Sequence, residues 1–382
     1  MNFYELQEPT SWVDPPTTWS STSVDEVQAC PRRWQLLHSQ WGPFERFPVR
    51  PHPASIEGQI VHDALDRLTR ACGRRGGPAF GSAEFAQALR DADFFPSFAR
   101  AVSEWQQRLA SHPRASPGFR LRASSEELAN RAVRMFREQY QPAADRTQVA
   151  SERGVGAPAE LGKLLRSKGA LSEVKLVHPR LPFMGVLDRI QIVKGTIEVV
   201  DFKTGKPSER HRMQLLRYAL LWWRATGESP GIVTAQYLNA FESWPVATHT
   251  LEEVELKLAE TLPQLSTALS SRPAVAQPSN SCPACPARAR CSPGWNMVEP
   301  AAPADGHGDA ELVMTGKAGN HGFISRTRSG SEVAVVFEAP IAKLWPECVE
   351  GRTVRVLGGV WKEKRGQLEL KAWTEVFVLS PG

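Results

Sequence analysis

The chain has 382 residues, too many for one ordinary domain and enough for two or three. Hydrophobic residues make up 41%, so a substantial core can form and disorder is excluded as the default state. The formal net charge of +5 suits a polyanionic partner without identifying one. No run of about 18 or more uncharged apolar residues occurs, so no membrane span is expected. The N-terminal MNFYELQEPTSW lacks the basic and apolar regions of a signal peptide. A cytoplasmic location is expected, where six cysteines point to metal or redox chemistry more than to disulfides.

Residues 21–41 carry a cysteine in a basic, aromatic setting, Cys30-Pro31-Arg32-Arg33-Trp34. Val61, Leu65, Leu68 and Cys72 recur at helical spacing and predict a helix over 57–72. After a Gly-rich break at 73–82, residues 83–110 and 125–140 again read as helical, so a helical block fills 57–150. The pattern then changes. Residues 172–178, 183–193, 196–203 and 231–238 are β-branched-rich runs that predict strands, with helices at 209–226 and 252–270. A Pro/Ser-rich connector, 271–281, leads to Cys282, Cys285 and Cys291. Residues 299–308 read as a linker. Beyond it, runs at 311–317, 321–327, 331–338, 352–361 and 367–379 predict five short strands, and an OB-like barrel over 309–382 is expected.

The chemistry concentrates in one predicted hairpin. Two strand-like runs, Met184–Val193 and Thr196–Lys203, flank Lys194-Gly195, a two-residue turn signal. If Val193 pairs with Thr196, counting outward sets Asp188 opposite Asp201. Two carboxylates facing each other across a strand pair repel and require a cation or a shared proton. Carboxylates are preferred ligands of Mg²⁺ and Mn²⁺. Asp201 and Lys203 are two apart and project from one face of the strand. A lysine there can orient an attacking water or neutralise a phosphate. Lys203 to Arg224 holds six Lys/Arg against one acid, Glu209, which suggests a phosphate-facing surface.

The cysteines form a triplet, Cys282-x2-Cys285-x5-Cys291, that lacks a fourth thiolate for a four-ligand site. Cys72 lies on an apolar helical stripe and reads as core, and Cys348 belongs to the C-terminal barrel, which leaves Cys30. Tetrahedral Zn²⁺ is one occupant of such a set; an iron–sulfur cluster is the other.

Gly185-Val-Leu-Asp188-Arg-Ile followed by Val199-Val-Asp201-Phe-Lys203-Thr-Gly205 resembles motifs II and III of the PD-(D/E)xK nuclease superfamily. In particular it resembles the RecB-type exonucleases, including CRISPR-associated RecB-like exonucleases and the AddB nuclease domain. The resemblance covers roughly residues 20–295 and implies several things. The fold would be α/β, a restriction-endonuclease-like core with a central mixed sheet flanked by helices. It would occupy 1–298, with the helical insertion inside it. Asp188 and Asp201 would bind Mg²⁺ or Mn²⁺, and Lys203 would be catalytic. His62, in Gly58-x-x-x-His62-x-x-Leu65, resembles motif I, where the histidine is a metal ligand. Gln214 and Tyr218 match the motif after the lysine, which shapes the active site and contacts DNA. The main-chain carbonyl of Phe202 would complete the metal site. Glu173 is an acid on the preceding strand and stays outside the core set. One distant cysteine plus a compact triplet resembles the family's [4Fe–4S] staple, with Cys30, Cys282, Cys285 and Cys291 as ligands. Arg32, Arg33, Arg288 and Arg290 beside it would be available to phosphates.

The function expected is metal-dependent hydrolysis of DNA, as an exonuclease on single-stranded ends, in repair, phage defence or CRISPR adaptation. No G-x4-G-K-[S/T] motif occurs, so a separate helicase or defence protein would supply any motor. A catalytically silent DNA-end-binding module, or a zinc-stapled structural subunit of a larger complex, is the alternative.

Overall fold

The computed structural model describes residues 2–4, 8–115, 119–139, 158–203, 207–237, 240–297, 306–319, 322–337 and 350–379. The chain opens with β1 (Asn2–Tyr4), followed by α1 (Ser21–Ala29) and α2 (Pro31–His38). A helical block follows: α3 (Pro53–Arg74), α4 (Ala83–Asp91), α5 (Phe94–Ala110) and α6 (Ser125–Gln139). The run 83–110, expected as one helical stretch, is two helices, broken where Asp93 takes a left-handed φ of 47°. Residues 140–150 of the expected block lie outside the described residues. The block has its own core, in which Leu65, Leu68, Phe94, Phe98 and Phe136 are almost fully buried. Cys72 is part of that core, as its place on the stripe predicts.

Next come α7 (Pro158–Lys168), β2 (Ala170–Val177), β3 (Met184–Val193), β4 (Thr196–Lys203), α8 (Glu209–Thr226), β5 (Ile232–Tyr237), β6 (Phe241–Pro245) and α9 (Thr248–Ala268). The five strands form one mixed sheet in the order β2-β3-β4-β5-β6, with β4 and β5 parallel and the other neighbours antiparallel. This is the central mixed sheet flanked by helices. Helix α8 is the crossover between the parallel pair, as parallel neighbours require. It packs on the sheet, with α7, α9 and α1 around it. Its residues Leu215–Trp222 are buried on every side, so it is an interior helix rather than an amphipathic one with Leu216, Leu220 and Trp223 as its core side. Strand β6 and helices α1, α2 and α7 had no periodic signal strong enough to predict them.

After α10 (Ser292–Asn296), the C-terminal part contains β7 (Gly306–Lys317), β8 (Gly322–Thr327), β9 (Glu332–Phe337), β10 (Thr353–Lys362), β11 (Gln367–Leu370) and β12 (Glu375–Val378). Strand β7 pairs with both β8 and β10, so β7-β8-β9-β11-β10 closes into a five-stranded barrel around Leu312, Phe323, Leu368 and Val376. Residues 306–308 of the expected linker already belong to β7, and the described part of 299–308 is therefore strand. The expected last strand, 367–379, is two strands. Its second half, β12, pairs in parallel with β1, so the N-terminal three residues join the barrel sheet rather than the nuclease-like part. A three-residue strand has no periodicity to read, and its partner lies at the far end of the chain.

The barrel is docked on the cysteine-bearing segment. Phe377 of β12 is fully buried among Leu36, Trp41, Phe47 and Cys291. Buried Arg114 makes a two-pronged ion pair with Glu375 at 2.9 Å and donates to the Pro286 carbonyl. Among the described residues no helix is long and apolar enough to cross a membrane.

Candidate active site

The β3–β4 turn takes the conformation its sequence favours. Lys194 (φ 49°) and Gly195 (φ 81°) are both left-handed, which matches a two-residue type I′ turn to the strand twist. Val193 pairs with Thr196, and the register runs unbroken to Arg189 opposite Val200. The next step outward brings Asp188 to Asp201. There the ladder gives way to a side-chain contact, in which the Phe202 N–H donates to Asp188 Oδ2 at 2.8 Å.

On the other side of β3 the same register break recurs. Ser172 pairs with Arg189 and Val174 with Leu187, while Glu173, between them, stands opposite Asp188 with a φ of 50°. A left-handed non-glycine residue costs about 1–3 kcal/mol and is typical of functional sites. Helix α3 supplies His62, whose Nε2 lies 3.1 Å from Asp188 Oδ2. The ligand atoms of His62, Glu173 and Asp188 all fall within 4.8 Å of one another, a spacing one cation can span. Glu173, kept outside the expected set, is thus inside the group. Its signal was absent from the sequence because the loop joining β2 to β3 is too long to specify register.

Asp201 lies beside that group. It is 2% exposed, and its Oδ2 is 2.5 Å from Lys203 Nζ. That ammonium balances the charge of the buried carboxylate. With Asp188 and His62 beside it, Asp201 adds to an oxygen-rich donor set of the kind a divalent cation takes. Lys203 Nζ also donates to Gln214 Oε1 at 2.9 Å, and Gln214 Nε2 donates to the Tyr218 hydroxyl at 2.8 Å. Residues 214 and 218 are one turn apart on the sheet-facing side of α8, which explains the chain of contacts. Asp188, Asp201, Lys203, His62, Gln214 and Tyr218 therefore converge at one end of the sheet, and the main chain of Phe202 borders them.

The electrostatics report crowded negative charge. Burial, then the Asp188 carboxylate, pushes Asp201 up to about 7. The hydrogen bond to Asp188 raises His62 to about 9, against the opposing effect of its burial. Burial raises Glu173, with Asp188 adding to it, and burial holds the Tyr218 phenol well above its ordinary range. Without metal, two effects then lower stability as pH rises. Asp201 favours the fold while it holds a proton, an advantage lost from its ordinary 3.8 up through about 7. Protonated His62 favours the fold fully below its ordinary 6.5, an advantage lost up through about 9. A divalent ion replaces those protons, so Mn²⁺ should raise Tm more near pH 8.5 than near pH 6. Calorimetry at the two pH values checks this; equal shifts would count against the metal site.

Gly185 supports the same chain from behind. A Cβ there would lie 2.8 Å from Tyr218 Cε1 and 2.9 Å from Leu221 Cδ1. Tyr218 is a buried ring and cannot swing away freely. Gly185→Ala should therefore destabilise by about 1–3 kcal/mol, the usual cost of overpacking. It should also slow turnover through the displaced Gln214 and Lys203. Unchanged Tm and unchanged turnover in the purified variant would refute the role.

The basic run after Lys203 is divided: Arg217 and Arg224 are engaged in the interior, while Arg210 is exposed. Buried Arg217 pairs with Asp25 at 2.7 Å, Arg224 pairs with Glu255, and Arg212 reaches Glu209. Lys206 lies outside the described residues. The arginines near the cysteines are similarly engaged. Arg288 is buried against Asp309, Arg290 donates to the Val378 carbonyl, and Arg32 to that of Ala274. These side chains hold the barrel and connector in place rather than offering a phosphate surface.

Cys30, Cys282, Cys285 and Cys291 line one small cavity. Cys30 caps α2, with Pro31 at the first helical position, and its Sγ accepts the Arg33 N–H at 3.4 Å. Cys282 Sγ accepts the Ser279 N–H at 3.3 Å. Gly294 lies against the sulfurs, since a Cβ there would come 3.4 Å from Cys291 Sγ and 3.5 Å from Cys282 Sγ. Burial raises the Cys285 and Cys291 thiols above the ordinary cysteine range. Cys348 lies outside the described residues.

A sequence profile of the PD-(D/E)XK nuclease superfamily matches residues 18–292, well over half of the chain. The chain belongs to the PD-(D/E)XK nuclease superfamily. Members of this superfamily are generally nucleases, and the matched segment contains every residue of the site described here. A comparison with curated proteins finds no match. Among solved structures, one titled "Crystal structure of SSO0001" is 18% identical, with 52% of this chain and 82% of that one covered and a TM-score of 0.24. Another, "Crystal structure of p204 HINb domain", is 17% identical, with 26% and 52% covered and a TM-score of 0.18. The chain thus spans about half the length of that second structure. Neither likeness is close enough to carry an argument about this PD-(D/E)XK protein.

Proposed function

We propose that this protein is a metal-dependent deoxyribonuclease that hydrolyses phosphodiester bonds at single-stranded DNA ends. The observation that carries the reading is the convergence of His62, Glu173 and Asp188 within 4.8 Å, beside the buried Asp201–Lys203 pair. Asp188, Asp201 and His62, with Glu173 and the Phe202 carbonyl, would hold Mg²⁺ or Mn²⁺. When bound, such an ion supplies positive charge for the phosphate and activates the attacking water. Lys203 neutralises charge developing on the phosphate and orients the nucleophile. Gln214 fixes the Lys203 ammonium, and Tyr218 fixes Gln214, so the lysine is aimed before substrate arrives.

The four cysteines would hold a [4Fe–4S] cluster rather than zinc; one distant cysteine meeting a compact triplet around a single cavity supports that choice. The cluster would be structural, joining Cys30 to the 282–291 segment across the nuclease core. The five-stranded barrel, closed as an OB-like unit, would grip single strands. Unwinding would fall to a separate helicase.

The test is cleavage of 5′- and 3′-labelled single strands and blunt duplex, with Mn²⁺ and with EDTA. Shortening of the single strand in Mn²⁺ and none in EDTA is expected. Metal binding without cleavage of any end would favour a DNA-end-binding module instead.

A further inference from the structure

Behind His62, on the side of the sheet away from Asp201, lies a cavity of about 260 Å³. Its walls are Val61, Leu65, Met135 and Phe202, and Gln59 stands exposed on its rim. Leu65, Met135 and Val61 are almost fully buried and form an apolar floor, while Ser55, Gln59 and the His62 ring make the rest of the lining polar. Phe202 reaches this side because it alternates with Asp201 and Lys203 along β4. Its ring meets the His62 ring edge-on, with centroids 6.2 Å apart and an interplanar angle of 78°. His62 is therefore shared: its Nε2 faces Asp188 while its ring borders the cavity.

A cavity with an apolar floor, one aromatic wall and a polar rim, abutting the proposed phosphate-cleaving centre, has the chemistry of a base receptor. Nucleobases stack on aromatic and apolar side chains irrespective of sequence. We propose that this cavity receives one unpaired nucleobase of the strand being cut, stacked against Phe202, with its phosphate at the His62–Asp188 group. This rests on the nuclease reading and extends it to substrate choice. A base held in a duplex cannot enter, so the slot, and not the metal site, selects single-stranded ends.

The test compares intact single strands with strands whose terminal nucleotide at the 5′ or 3′ end is abasic. Binding of the full chain is followed by anisotropy of a dye at the opposite end, in EDTA so that no turnover intervenes. Intact ends should bind about tenfold more tightly than abasic ends of one polarity, the size expected for one stacked base. Phe202→Leu should bring that ratio to within about twofold, and Phe202→Tyr should preserve it. Equal binding of intact and abasic ends by the unmodified protein overturns the proposal and needs no variant. Full discrimination retained by folded Phe202→Leu also overturns it. Cleavage in Mn²⁺ separates the two levels: strands cut without base discrimination refute the slot alone, whereas no cleavage of any end removes the nuclease reading and the slot with it.

Discussion

Lys203→Ala should lower the rate of single-strand cleavage by about 10²–10⁴-fold, the usual contribution of a positioned acid–base or electrostatic group. Lys203 stands 2.5 Å from Asp201 and 2.9 Å from Gln214, so its removal leaves the carboxylates in place and takes away their cation. The consequence for stability depends on pH. Lys203 is among the groups that hold the Asp201 carboxyl down, so in the variant that carboxyl keeps its proton to higher pH and the lost pair matters little near pH 6. At higher pH the unmodified protein gains the ionised Asp201–Lys203 pair and the variant does not, and deleting one partner of a buried pair costs up to roughly 3–5 kcal/mol. The variant should therefore melt close to the unmodified protein near pH 6 and well below it near pH 8.5, and Mn²⁺ should restore part of the loss. Gln214→Ala is the milder companion, because it disorders Lys203 without deleting it. Cleavage by purified Lys203→Ala at the unmodified rate would refute the assignment of the lysine.

Cys285→Ser should give a colourless and much less stable protein, where the unmodified chain purified without oxygen is expected to be brown. The four thiols join residue 30 to residues 282–291. Closing a loop of that length constrains the unfolded chain by on the order of 5 kcal/mol. More is lost locally. Cys291 packs with Phe377, and Arg290 and Arg355 bind the same segment to the barrel, so a loosened segment also loosens β12. A drop in Tm of about 10 °C or more is expected. Iron and sulfide analysis, with thermal unfolding of both proteins, checks the prediction. Zinc at one equivalent in the purified chain, with no iron, would replace the cluster by the tetrahedral ion.

The two functional centres differ in how far a reader of the sequence can go. The acid–lysine hairpin is local. Two residues, Lys194 and Gly195, adopt left-handed conformations that dictate a tight turn, and the pairing of every residue back to Asp188 follows from it. Hairpin register needs no knowledge of the rest of the chain, so Asp188 meeting Asp201 was legible. Helix α8 was also legible in extent, and the spacing of Gln214 and Tyr218 correctly placed them on one face. Its environment was not, because burial on every side comes from α7, α9 and α1, three helices supplied by distant segments.

Glu173 shows where local reasoning stops. Its place opposite Asp188 depends on the β2–β3 loop, which has no two-residue turn rule, and on a left-handed backbone that no propensity predicts for glutamate. The arginines went astray for a related reason. Charge in a sequence reads as surface charge, yet Arg114, Arg217, Arg288 and Arg355 are buried with carboxylate or carbonyl partners far along the chain. The β1–β12 pairing, which ties residues 2–4 to 375–377, belongs to the same class.

By itself the sequence determined the hairpin, its opposed carboxylates and the lysine beside them, because period-two alternation and a tight turn are properties of neighbouring residues. It also determined the cysteine spacing and the barrel's strand runs. Only the tertiary structure decided that Glu173 joins His62 and Asp188, that Phe202 faces a cavity behind the site, and that the barrel docks on the cysteine segment. Each of those depends on contacts between residues tens to hundreds of positions apart, whose geometry is set by packing and not by local conformational preference.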